Sequence, residues 1–218
     1  MKRTPASRVA LAGLLLAMML VLGYVESLMP LNIGVPGIKL GLSNGVLIFA
    51  VYCLNIPTAY VLMTLKVLLS GLMFGGVSAM LYAFSGGILS LTVMCLLSDI
   101  KGIRPELVGI AGGACHNIGQ LLMAMLVMQT TSLAGYILIL LPAGMICGVL
   151  TGICARAVMK RFTPAQPHSR NKKERLLSIV IAIVILALIT GIVLIQQNKN
   201  TETQIVWDTE NAQQYYVG

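Results

Sequence analysis

The chain has 218 residues, 57% of them hydrophobic and only 10% charged, with a mean hydropathy of +0.90. Soluble domains carry about a quarter charged residues, so this chain lacks the polar surface to cover a globule in water. A formal charge of +8 suggests nucleic acid at first sight, but the basic residues gather in the connections on one side of a series of apolar runs, which excludes that reading.

Each apolar run is near the roughly 20 residues that cross a bilayer. They predict an all-α, polytopic membrane protein with spans near 8–29, 41–55, 57–74, 76–97, 106–129, 135–158 and 176–196. The first run follows Lys2, Arg3 and Arg8 as a signal peptide would, but no small-x-small cleavage site follows it, so it reads as an uncleaved first span. Within it Ala6, Ala10, Gly13 and Ala17 form a smooth ridge, the kind of surface that lets two helix backbones approach closely. Two occupants suit that ridge, a neighbouring helix of the same chain or an external protein.

Between the first two runs lies NIGVPGIKLGLSN, residues 32–44. Pro30 and Pro36 bar a continuous helix there, and the glycines allow tight turns. The stretch gathers Glu26, Asn32, Lys39, Ser43 and Asn44 at one mouth of the bundle. Its turns, with a lysine beside them, could cradle an anion. A loop this short and apolar is expected to fold back into the bundle.

Lys66 is the sharpest signal. It sits near the centre of the third run, where a lysine costs roughly 2.5–3.5 kcal/mol on insertion scales and faces a cavity or a partner. Either it neutralises a ligand or it pairs with Glu26. In the fifth run, GGACHNIGQLL sets His116 and Gln120 four residues apart on one helix face, with Asn117 bordering the same sector. Three strong hydrogen-bonding groups within five residues suggest a cavity; the bland alternative is a satisfied core histidine. In the sixth run Gly144, Gly148 and Gly152 form a GxxxGxxxG packing face.

Residues 1–160 thus read as a six-helix membrane bundle and 161–175 as a basic linker. A seventh transmembrane helix at 176–196 and a short tail at 197–218 follow. Twelve of the fifteen basic residues fall on the side of the N-terminus, the 98–105 loop and the linker. By the positive-inside rule that side is cytoplasmic in a plasma membrane, the tail is extracytoplasmic, and the linker meets anionic lipid. Five cysteines lie in apolar runs without CxxC or metal-ligand spacing, so they read as inert thiols, and no metal site is expected.

The segments YVESLMPL, GVPGIKLGLSN, LKVLLSGLMFG, YAFSGGILSLTVM and CHNIGQLL, in this order over about residues 8–160, resemble the Gx transporter family, also labelled heptaprenyl diphosphate synthase component I. That family is similar to the substrate-binding S components of energy-coupling factor (ECF) transporters. The resemblance implies a six-helix S-component-like bundle with an externally open pocket, here with one extra C-terminal helix. It also implies docking, through the first-helix ridge, on a transmembrane coupling subunit driven by two cytoplasmic ATPases. Some relatives are implicated in flavin trafficking, so a flavin (FMN, FAD or riboflavin) is the first expected substrate and an isoprenoid phosphate the second. Glu26, Asn32, Lys39, Asn44, Lys66, His116, Asn117 and Gln120 are the expected substrate-binding residues, with no intrinsic cofactor. Two rivals stand beside this reading, a noncatalytic subunit of a prenyl diphosphate synthase and a scaffold of a membrane redox complex. The chain itself does not read as an enzyme: prenyl transfer needs aspartate-rich magnesium sites, whereas Asp99 and Asp208 stand isolated, and no P-loop is present.

Overall fold

The computed structural model describes residues 5–28, 41–100 and 102–162, together with Leu176, Val180, Ile181, Val184 and Gly191, which are helical. All described elements are helices: α1 (Pro5–Ser27), α2 (Asn44–Cys53), α3 (Ile56–Ser70), a π-helical turn (Gly71–Gly75), α4 (Gly76–Ser98), α5 (Pro105–Val127), a 3-10 turn (Ser132–Tyr136) and α6 (Ile137–Phe162). Most of the expected basic linker, seventh helix and tail lies outside the described residues.

Four stretches are long and apolar enough to cross a membrane: Ala6–Ser27, Ile56–Ser98, Pro105–Val127 and Ser132–Arg161. The second has 43 residues and is folded on itself. Tyr60 Oη lies 2.8 Å from Thr92 Oγ1. The side chain of Met63 lies 2.9 Å from where a Cβ on Gly87 would stand, and that of Met80 lies 2.8 Å from the same position on Gly71. These pairs run in opposite directions along the chain, so α3 and α4 are antiparallel legs. The reversal falls at Gly76, whose φ of +73° suits glycine. The split expected between residues 74 and 76 is therefore where the helices part.

The second expected span needs correction. Only ten residues are helical there, about 15 Å at 1.5 Å per residue, half the hydrocarbon thickness of a bilayer. Pro57 cannot continue a helix from Cys53. The Asn55 side chain instead accepts from Thr58 N–H (3.1 Å) and starts α3. Hydropathy could not reveal this, because a short buried helix and half of a span are equally apolar. All but three residues of α2 are buried, and the larger apolar core, with Leu15, Met19, Leu47, Met63, Leu91 and Val108, forms around it. A second apolar cluster, with Tyr82, Leu121, Ala124 and Leu140, lies farther along α4, α5 and α6.

Glycines bring α5 into backbone contact with both neighbours. Gly109 and Gly113 meet the backbone of Gly148 and Gly144 on α6, and Gly119 meets that of Gly86 on α4. The α6 GxxxGxxxG face therefore packs internally, as small residues do where no hydrophobic force acts between helices. At the end rich in arginine and lysine, Arg156 pairs with Glu106 at 2.8 Å. We predict that Gly113→Val lowers stability by about 3 kcal/mol or more, because backbone cannot yield as a side chain can. Gly135→Ala, where a Cβ meets nothing within 4 Å, should change it by less than about 0.5 kcal/mol. Denaturant titration in micelles compares the two, and equal stabilities would contradict the packing.

Candidate functional site

Between the two apolar clusters runs a layer of buried polar side chains. Along α5, Val108 belongs to the first cluster and Leu121 to the second, with His116, Asn117 and Gln120 between them, all at most 1% exposed. His116 is the central residue of α5, so the layer sits near the middle of that span. Gln120 Nε2 lies 2.8 Å from His116 Nε2, as the four-residue spacing predicts. The His116 ring lies against Gly86, where an added Cβ would stand 2.9 Å from Nδ1. Asn117 turns to the other neighbour and donates from Nδ2 to the Leu140 carbonyl of α6 at 2.5 Å.

The start of α2 enters this layer. The Gly41 N–H donates to the buried carboxylate of Glu26, near the end of α1. Gly41 has a φ of +88°, and a Cβ there would stand 2.9 Å from the His116 ring and 3.0 Å from Asn44 Nδ2. Only glycine satisfies both the backbone conformation and the close approach. Glu26 and Asn44, expected at a mouth whose connecting stretch folds back into the bundle, are both buried, and Asn44 lies beside Gly41, which abuts the His116 ring. Asn32 and Lys39 lie outside the described residues.

Lys66, expected at the centre of its span, is the eleventh residue of the leg Ile56–Gly75 and is 6% exposed. It is within electrostatic range of His116. With Ser43, Ser70, Gly23, Gly71 and Gly75 it lines a crevice of about 10 Å³ between α1 and the α3–α4 hairpin, room for one water molecule. Ser70 and Gly41 were not among the expected site residues. Ser70 was within reach of sequence reasoning, four residues after Lys66 and so on its face. Gly41 was not, because its role depends on a contact with a residue 15 positions away.

Among the described residues, several polar atoms in this layer have no protein hydrogen-bond partner: Ser43 Oγ, both amide atoms of Asn44, and Asn117 Oδ1. Each such atom costs roughly 1–3 kcal/mol unless something satisfies it. The ridge residues Ala6, Ala10, Gly13 and Ala17 are all exposed, and a Cβ on Gly13 meets nothing within 4 Å. The ridge faces away from the bundle.

The family model described as heptaprenyl diphosphate synthase component I matches residues 15–158, well over half the chain. The chain belongs to that family. The match spans the polar layer and every element that builds it, from the second half of α1 into α6. No curated protein and no solved structure matches significantly. With its long apolar helices, this member of the component I family is a multi-pass membrane protein.

The Glu26–Gly41 bond generates a prediction. Glu26→Gln keeps an acceptor for the Gly41 N–H, whereas Glu26→Ala strips it and strands a buried donor. The alanine variant should be less stable than the glutamine variant by about 1–3 kcal/mol in denaturant titrations. Equal stability of the two would show that the bond does not hold α2 in place.

Proposed function

We propose that the protein is the solute-binding subunit of an ECF-type membrane transporter, and that the polar layer at the start of α2 receives the solute. The observation that supports this most is the set of unpartnered, fully buried polar atoms on Ser43, Asn44 and Asn117. A stable bundle gains nothing from such atoms, and a bound molecule with complementary groups would satisfy them. The exposed small-residue ridge on α1 suits docking of a coupling subunit, with ATP hydrolysed by separate ATPases. The basic end of the bundle would face the cytoplasm.

A flavin remains the first candidate solute. Its ring carries uncharged donors and acceptors that amide side chains match, and FMN adds an anionic end toward Lys66. An isoprenoid phosphate has an anion and an apolar tail, and so brings no donor for the Asn44 and Asn117 amide oxygens. The crevice of about 10 Å³ does not hold a ring system, so binding requires α1 to move away from the α3–α4 hairpin. The family description favours a second reading, in which the chain is a noncatalytic membrane partner of a prenyl diphosphate synthase.

Asn44 gives the discriminating experiment. Both of its amide atoms lack partners, so Asn44→Leu removes no internal hydrogen bond and should leave stability unchanged or raise it. Binding of FMN or riboflavin to the full chain in nanodiscs, read by fluorescence quenching and native mass spectrometry, should weaken about tenfold or more in this variant. Absence of flavin binding to the wild type at micromolar concentration would overturn the flavin assignment. If a soluble synthase subunit also copurified while no ATPase did, the second reading would replace the first.

A further inference from the structure

Most helical hydroxyls of this chain follow a rule that one buried serine breaks. Inside a helix a serine or threonine hydroxyl can donate to a carbonyl about one turn earlier. Ser70 donates to Val67 (3.2 Å), Thr92 to Ile88 (2.8 Å), Ser98 to Cys95 (3.0 Å) and Thr151 to Gly148 (3.2 Å). Ser90, within α4, is 0% exposed, and its hydroxyl has no hydrogen-bond partner among the described residues. Alanine would fill a mere packing position without that cost.

Two residues on its own helix fix where Ser90 lies. Gly86 stands against His116 and Gln120 of α5, and a Cβ on Gly112 of α5 would meet Met94. Ser90 is four residues from Gly86 and four from Met94, so it shares their face. That face is opposite the turn of α5 between Gly112 and His116. The start of α2 reaches the same depth from another side. Gly41 abuts the His116 ring, and the Ile48 side chain reaches Gly109, which brackets Asn44 at that part of α5. Ser90 is the α4 member of the polar layer, level with Asn44 on α2.

The unpartnered atoms define what would satisfy them. The charged side chains nearby are engaged: Glu26 accepts the Gly41 N–H, and Lys66 has an interaction partner of its own. What remains is uncharged. Asn44 Oδ1 and Asn117 Oδ1 only accept, Asn44 Nδ2 only donates, and the Ser43 and Ser90 hydroxyls do either. Exchanging the two Asn44 amide atoms changes nothing, since both are unpartnered, and Asn117 Nδ2 is fixed by its bond to the Leu140 carbonyl.

We propose that Ser90 contacts the solute, and that the part of the solute held at this depth is an uncharged group with donors of its own, such as an imide, amide or polyol. An ionised phosphate or carboxylate brings no donor for the two amide oxygens. The proposal rests on the solute-binding reading and deepens it, naming the recognised group and the residue of α4 that meets it.

The test uses the full chain in nanodiscs, first without added solute. Ser90→Ala loses no internal hydrogen bond and should unfold at the wild-type temperature or above, whereas Ser98→Ala loses its bond to Cys95 and should unfold lower. Equal destabilisation of the two would show that the protein or a buried water already satisfies Ser90, and would overturn the proposal. Riboflavin, uridine and sodium phosphate are then titrated, with Tm as the common readout and fluorescence quenching for the flavin. Wild type should respond saturably to riboflavin, and the Kd should weaken about fivefold or more in Ser90→Ala. Riboflavin binding of equal affinity in both proteins overturns the Ser90 contact while the solute-binding reading survives. A Ser90-dependent response to uridine, which has an imide and a polyol without the flavin ring, leaves the contact standing even if riboflavin does not bind and the flavin assignment falls. A saturable response to phosphate alone, or none to either uncharged solute, overturns the proposal.

Discussion

The Glu26 carboxylate, taken out of water near the end of α1, accepts the Gly41 N–H, and the position of α2 depends on that bond. A carboxylate at 2% exposure must be satisfied within the protein, and a backbone donor to an anion is among the stronger ways of doing so. Meeting that demand draws the chain inward at residue 41 and starts α2 beside the centre of α5 rather than at the rim. A half-length helix then suffices to reach the connection at Leu54 and Asn55. Discontinuous helices of this kind recur where membrane transporters bind solutes, because they place chain ends and polar side chains at the depth of the bilayer centre.

The helices of the bundle are joined in two different ways. α5 meets α6 and α4 at glycines, backbone against backbone, which leaves no flexible side chain between them. α1 is different: apart from Leu15, Met19, Gly23 and Glu26 its described side chains are partly or fully exposed, and one glycine and one carboxylate on it close the polar layer. The glycine contacts tie α4, α5 and α6 into one block that carries His116, Asn117 and Gln120, and the proposed binding requires movement only of α1 and the start of α2. The same sequence feature, small residues at helical spacing, thus serves internal packing on α6 and an outward ridge on α1.

Much of this was legible before folding. The runs bounding α3, α4, α5 and α6 are apolar enough, and their breaks polar or glycine-rich enough, that their ends fall within a few residues of expectation. His116, Gln120 and Lys66 announced themselves because a polar side chain inside an apolar run must face the interior. The short α2 was hidden, since burial on all sides erases the periodicity that marks helix faces; Asn55 and Pro57 were its only punctuation. Also hidden was the inward placement of Ser43 and Asn44, which follows from a left-handed glycine and a contact 15 residues apart. Both lie beyond any local pattern.

The claim at the centre of this account is that the polar layer is unsatisfied by the protein because it awaits a solute. A cryo-electron microscopy map of the protein extracted from its native membrane, at a resolution that shows ordered water, measures this directly. The account predicts density larger than water within hydrogen-bonding distance of the Asn44 amide, with α1 displaced from the α3–α4 hairpin. Asn44, Ser43 and Asn117 bonded only to protein groups or to single waters in a closed bundle would contradict it.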